Sequence, residues 1–185
     1  MGLEELIFQR LHQCNIALPK KREDIEIKEV EGKGKGLFAK QNIRKNTLIT
    51  LYPVHFIIKF NKDKKDEFAL CNNLYNIEDY ENANNLAECL DYYLQVTKDY
   101  YIMGDPKHSE NMDLIGHFCN DKGYHPQKTY KPDLNNSALH NLRIISLRDI
   151  KAGEEITVAY GRDYWYNKDK TGESAHDRII KKYRK

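Results

Sequence analysis

The sequence lacks every short-range cysteine signal. Cys14, Cys71, Cys89 and Cys119 lie far apart, with no CxxC pair and no Cys/His cluster at zinc spacing. No metal site is expected, and free thiols in a reducing compartment are the simplest reading. Charge of one sign is also missing: 30 Lys and Arg against 28 Asp and Glu leave a net charge of +2. That balance excludes a protein whose main task is gripping a nucleic-acid backbone. The basic end, Lys181, Lys182, Arg184 and Lys185, reads as a solvated terminus. The start, MGLEELIFQRL, has neither the basic residues nor the apolar core of a signal peptide, and Leu6 breaks the myristoylation pattern. No apolar run approaches membrane-spanning length. Internal repeats and low-complexity linkers are absent. The expectation is a soluble intracellular protein of one domain, or one domain with appendages.

What is present is strand-like. Ile25–Val30 (IEIKEV) alternates with a period of two, and a glycine-rich turn, EGKGKG, follows before LFAKQNI. Thr47–Phe60 is rich in β-branched and aromatic residues and reads as one or two strands, with Pro53 at an edge or bend. Residues 61–91 are polar, acidic and asparagine-rich, with a short helix expected around Asp63 to Leu70. Asp91–Gly104 reads as a hairpin turning at Lys98 and Asp99. Met112–Asp121 is a compact apolar segment, and KGYHPQKTYKPDLNN is a loop. Leu142–Tyr160 gives two strands around a turn at Lys151 to Gly153. Helices are expected at the ends, over residues 3–14 and from an N-cap at Ser174 to Tyr183.

Three stretches carry chemistry. Gly34-Lys35-Gly36-Leu37-Phe38-Ala39 formally matches GxGxxA, but the segment after it is too short for a crossover helix. An acidic residue is expected about 20 positions on, and VHFIIKF stands there instead. Two readings remain for Gly34 and Gly36: a plain hairpin turn, or a place where backbone groups approach a ligand. Asn120 closes an apolar run and either caps a turn or fixes a ligand, while Asn135 and Asn136 read as loop residues. Tyr160 ends the strand EEITVAY and is followed by Gly161, Tyr164 and Trp165.

Taken in order, these stretches resemble the SET-domain protein lysine methyltransferases. The opening motif stands as Gly34–Ala39, and the central one as His117-Phe118-Cys119-Asn120-Asp121. The closing one stands as Gly153-Glu154-Glu155-Ile156-Thr157-Val158-Ala159-Tyr160-Gly161, approached by Arg143–Ile150. The resemblance spans about residues 25 to 166, and the ending Tyr-Gly-x-Asp-Tyr-Trp is similar to small viral and protist members. Two departures stand out. Asp121 and Lys122 replace the family's His and Ser, and no cysteine cluster follows Tyr160 to form a zinc-bound post-SET module.

The resemblance implies a mainly β fold of the β-clip type with flanking helices, in which central and closing segments thread as a pseudoknot. It divides the chain into an N-terminal helical extension (1–22), a SET domain (23–166, with an insert at about 61–91) and a C-terminal helical tail (167–185). It implies transfer of a methyl group from S-adenosylmethionine to a lysine side chain, with Tyr160 at the reaction centre. Cofactor contacts would come from Gly34, Lys35, Gly36, Asn120, Asp121, Tyr160 and Trp165. The lysine channel would be lined by Tyr52, Tyr93, Tyr101, Phe118 and Tyr164, since aromatic faces suit an ammonium group. Tyr160 is not assigned as a strong base, because tyrosine ionises only near pH ~10. The substrate would be a histone or another basic-tailed protein, with nuclear or chromatin localisation if a histone. Neither nucleic acid nor membrane is an expected partner. The acidic stretch Glu78 to Glu88 with Asp91 either attracts such a tail or is a solvated loop. The alternative function is a catalytically silent SET-fold binding module, favoured by Asp121 at the family's His position.

Overall fold

Alternation in IEIKEV produces strand β1, Ile25–Val30, which buries Ile25 and turns Lys28 and Glu29 to solvent. A backbone bond from the Lys33 N–H to the Val30 carbonyl closes a tight turn, and β2, Gly34–Ala39, returns antiparallel with Val30 opposite Gly34 and Ile25 opposite Ala39. The glycines at 34 and 36 therefore lie in the strand, past the turn. The computed structural model describes residues 23–59, 67–70, 89, 92–95, 100–107, 109, 112–123 and 129–165. The helices expected over 3–14 and from 174 to 183, the extension and tail that contain them, the acidic stretch 78–88 and Asp91, and the turn at Lys98 and Asp99 lie outside these residues.

The chain divides into two compact units, one built from residues 1–52 and 109–160, the other from 53–108 and 161–185. Within the first, β2 is the middle strand of a three-stranded sheet between β1 and β10 (Glu155–Ile156). A second sheet has the order β3 (Leu48–Leu51), β9 (Arg143–Ser146), β8 (Ser137–His140). Leu37, Ile49, Ile144, Ile150 and Ile156 are almost fully buried and form the apolar filling. Each such side chain contributes about 1.5–3 kcal/mol by leaving water. The apolar run Met112–Asp121 folds into two 3-10 turns, Met112–Leu114 and Gly116–Phe118. Thr50 of β3 fastens it: its hydroxyl donates to the Met112 carbonyl at 3.0 Å and accepts from the Ile115 N–H at 3.2 Å.

The second unit holds a four-stranded antiparallel sheet in the order β5 (Glu67–Leu70), β4 (Phe56–Lys59), β7 (Tyr100–Met103), β6 (Tyr93–Gln95). The expected hairpin over Asp91–Gly104 is β6 and β7, with Tyr93 opposite Met103. Thr47–Phe60 supplies two strands broken around Pro53, as anticipated. The short helix expected around Asp63 to Leu70 is not found where the chain is described: Glu67–Leu70 is β5, held by pairing with β4 from Phe56↔Leu70 to Lys59↔Glu67. Tertiary pairing overrides the helix preference of a tetrapeptide with one Glu and one Ala. The two strands expected around Lys151 to Gly153 are β9 and β10, which join different sheets.

Candidate active site

The joint of the first unit is a side-by-side run of two distant segments. Asn120 forms a parallel bridge with Thr157, and the Val158 N–H donates to the Asn120 carbonyl at 2.9 Å. These are the two segments that the expected threading requires to meet. β10 pairs with β2 through Glu155↔Phe38 and Ile156↔Leu37, so the opening motif lies beside the closing one.

Asn120 ties all three together. Its Nδ2 donates to Glu155 Oε1 at 2.8 Å and to the Lys35 carbonyl at 3.3 Å. Gly36 makes room for this. A Cβ there would lie 2.6 Å from Val30 Cγ2 and 3.0 Å from both Asn120 Nδ2 and Glu155 Oε1. The glycine is required by close approach of neighbouring side chains. Above this floor sit two lysines. Lys33 Nζ donates to the Asp121 carbonyl at 3.2 Å, and Lys35 Nζ stands 5.6 Å from the centre of the Phe118 ring, within cation–π range.

Tyr160 arrives at the end of the closing motif. Its hydroxyl donates to the Cys119 carbonyl at 2.8 Å, its backbone N–H donates to Asp121 Oδ2 at 2.8 Å, and it remains 36% exposed. Gly161 follows at φ 94°, a left-handed conformation that favours glycine. Asp121 is only 4% exposed. Its Oδ1 accepts from the Gly123 N–H (2.6 Å) and Asn135 Nδ2 (2.9 Å), and its Oδ2 from the Tyr130 hydroxyl (2.8 Å) and Tyr160 N–H. The Cys119 thiol is buried, which pushes its pKa far above the ordinary range, and the negative charge of Glu155 adds to the shift. A neutral buried thiol has no nucleophilic part to play.

The aromatic residues named from the sequence fall into two groups. In the first unit, Phe118 is 1% exposed and its ring lies 4.0 Å from that of His117, while Tyr52 meets His117 edge-on at 6.4 Å. In the second unit, Tyr93 lies 5.7 Å from Tyr101 and 6.0 Å from Tyr164, and Tyr164 packs edge-on against Trp165 at 4.7 Å. Tyr164 and Trp165 belong to a short helical turn, Arg162–Trp165. Gly34, Lys35, Gly36, Asn120, Asp121 and Tyr160 are thus all in the first unit, and Trp165 is in the second. Sequence reasoning misses Tyr130, Asn135 and Asn136, which read as loop residues, and Lys33, which reads as part of the turn. No motif marks them, because the bonds that bring Tyr130 and Asn135 to Asp121 and Asn136 to Thr157 span 9, 14 and 21 positions.

Among the described residues no helix is long and apolar enough to cross a membrane. The chain is 28% identical over 145 residues to a variant-silencing SET domain-containing protein of Plasmodium falciparum, a match covering 78% of this chain and 5% of that protein. It is 26% identical over 157 residues to a histone-lysine N-methyltransferase, H3 lysine-37 specific, of Schizosaccharomyces pombe, covering 85% of this chain and 86% of that one. Among solved structures it is similar to CpSET8 from Cryptosporidium, with a TM-score of 0.45 and 25% identity over 74% of this chain and 57% of that chain. A model of the SET domain matches residues 34–161, well over half the sequence and from the opening glycine to the residue after Tyr160, and the chain belongs to the SET-domain family.

Proposed function

We propose that the chain is a protein-lysine N-methyltransferase that uses S-adenosylmethionine and acts on a lysine of a histone or another basic-tailed protein. One observation carries the reading: a partly exposed phenol, Tyr160, donates to the Cys119 carbonyl beside the amide that links the opening and closing motifs. The similarity to a histone-lysine methyltransferase of comparable length supports the substrate class.

The residues present fit the cofactor. Without a side chain at Gly36, β2 and Asn120 approach closely, and the Lys33 and Lys35 ammonium groups beside this joint suit the carboxylate of the cofactor's amino-acid end. When bound, the cofactor supplies a methyl group on a positively charged sulfur, which a neutral amine takes as it gives up one proton. Lys35, Gly36 and the Asn120–Asp121 segment would hold it. Tyr160 directs its proton to the Cys119 carbonyl, so toward any further neighbour its oxygen acts as an acceptor. An acceptor at that place favours an amine N–H or a polarised methyl group through alignment and electrostatics, with no need for tyrosine ionisation. The assignment of Tyr93, Tyr101, Tyr164 and Trp165 to the substrate and cofactor walls rests on the family resemblance.

The test is transfer of labelled methyl groups from S-adenosylmethionine to mixed histones, ribosomal proteins and lysate. Label that appears with the wild type and is lost in Tyr160→Phe supports the enzyme. A second reading, a SET-fold module that binds without catalysis, takes its support from Asp121. It gains ground if the wild type labels none of these mixtures.

A further inference from the structure

Among the described residues four neutral donors reach the buried carboxylate of Asp121: the Gly123 and Tyr160 N–H groups, Asn135 Nδ2 and the Tyr130 hydroxyl. An ionised carboxyl has about four acceptor sites, so this set comes close to saturating it. One of those donors is the backbone of the residue whose phenol defines the site. Tyr160 is then held at two points, by its N–H on Asp121 Oδ2 and by its hydroxyl on the Cys119 carbonyl. Both anchors belong to one tripeptide, Cys119-Asn120-Asp121, whose middle residue also bonds Glu155 and Lys35.

We propose that Asp121 is a positioning residue: it fixes the main chain of Tyr160, and Tyr130 and Asn135 act through it. The effect on catalysis rests on the methyltransferase reading, but the pin itself does not. Tyr130 shares Oδ2 with Tyr160, so the phenol of Tyr130 orients the oxygen that receives the Tyr160 N–H. Asn135 orients the other oxygen, and its own carbonyl oxygen accepts from the Lys122 N–H at 2.9 Å. Four donors converging on one group make that group an unusually stiff support, since charge-assisted hydrogen bonds are shorter and stronger than neutral ones. A residue that brought a single acceptor could not replace it, and the histidine that the family resemblance would place at this position brings at most one.

The experiment combines amide hydrogen exchange at Tyr160 with steady-state kinetics, in the full chain, for wild type, Tyr130→Phe and Asp121→Asn. The Asn variant keeps one acceptor oxygen and turns an NH2 group toward two of the donors. Tyr130→Phe, the milder change, guards against a misfolded Asp121 variant. Exchange at Tyr160 should quicken about threefold to tenfold in Tyr130→Phe, the loss of one net hydrogen bond, and more in Asp121→Asn. kcat should fall in the same order, and in Tyr130→Phe, which alters no group assigned to the cofactor, the KM for the protein substrate and the Kd for S-adenosylmethionine should stay within about twofold, the pattern of a reaction-centre loss without a binding loss. Lower Tm with unchanged Tyr160 exchange would overturn the proposal, because it would leave Asp121 a purely structural hub. Faster exchange with unchanged kcat would overturn the positioning role. A wild type that transfers no methyl group would sink the functional reading alone, and the exchange data would still decide the pin.

Discussion

The side-chain amide of Asn136 stands in for a strand beside Thr157: it donates to the Glu155 carbonyl at 2.8 Å and accepts from the Thr157 N–H at 2.9 Å. Asn136 is 1% exposed and Thr157 fully buried, so water cannot replace the bond from the Thr157 N–H, while the bond to the Glu155 carbonyl is only partly buried. Asn136→Ala should cost about 1–3 kcal/mol, since it strands the buried Thr157 N–H. Urea denaturation checks this. The midpoint should drop with the slope unchanged, and a loss below about 0.5 kcal/mol would contradict it.

The two glycines that flank Lys35 should behave differently. At Gly34, φ is 73° and nothing lies within 4 Å of where a Cβ would stand, so Gly34→Ala should cost about 1 kcal/mol from backbone strain. Gly36→Ala must push Val30 and the Asn120–Glu155 pair apart, and a loss of about 1–3 kcal/mol follows. Only the second should weaken S-adenosylmethionine binding by calorimetry. Equal effects of both on binding would contradict this.

Glu154 caps the loop before β10. Its carboxylate accepts from Arg148 at 3.0 and 3.2 Å and from the Lys151 N–H at 2.6 Å, and the Arg148 bond, then the backbone bond, hold its pKa below the ordinary 4.5. A carboxylate whose folded pKa is depressed contributes stability above its unfolded value, and that contribution is lost as the pH falls below about 4.5 and through the folded value. Glu154→Gln should flatten that acid limb of the stability curve. The effect should be small and shrink in high salt, because the pair is solvent-exposed.

The Cys119 thiol should resist alkylation at pH 8 in the folded chain and react once the chain is denatured, because burial keeps it in the unreactive protonated form. Peptide mapping after iodoacetamide treatment decides it. Rapid labelling of native protein at Cys119 would mean that the tripeptide holding Tyr160 is open to solvent.

Local composition predicts the elements rich in β-branched and aromatic residues. IEIKEV forms β1, and the aromatic stretch around Lys98 forms β6 and β7. Glu67–Leu70 is not legible in the same way, because its strand state depends on β4. β8 escapes for a different reason. Its connection to β9 is Asn141-Leu142, at φ 48° and 63°, a turn that usually announces itself with glycine in the second place. For the site, the three motifs are visible as ordered words. The contacts that join them are not local, and Tyr130, Asn135 and Asn136 look like ordinary loop polar residues until the chain closes on Asp121 and Thr157.

Tyr160→Phe removes one hydroxyl and one hydrogen bond to the Cys119 carbonyl, a stability change of only about 0.5–1.5 kcal/mol. Mass spectrometry of histones incubated with S-adenosylmethionine and either form of the chain therefore reads the chemistry apart from folding. The account predicts methyl groups on lysine with the wild type, and a rate at least about a hundredfold lower with a folded Tyr160→Phe, the size expected when one preorganised electrostatic contact is lost from a reaction centre. Equal methylation by both forms would contradict it.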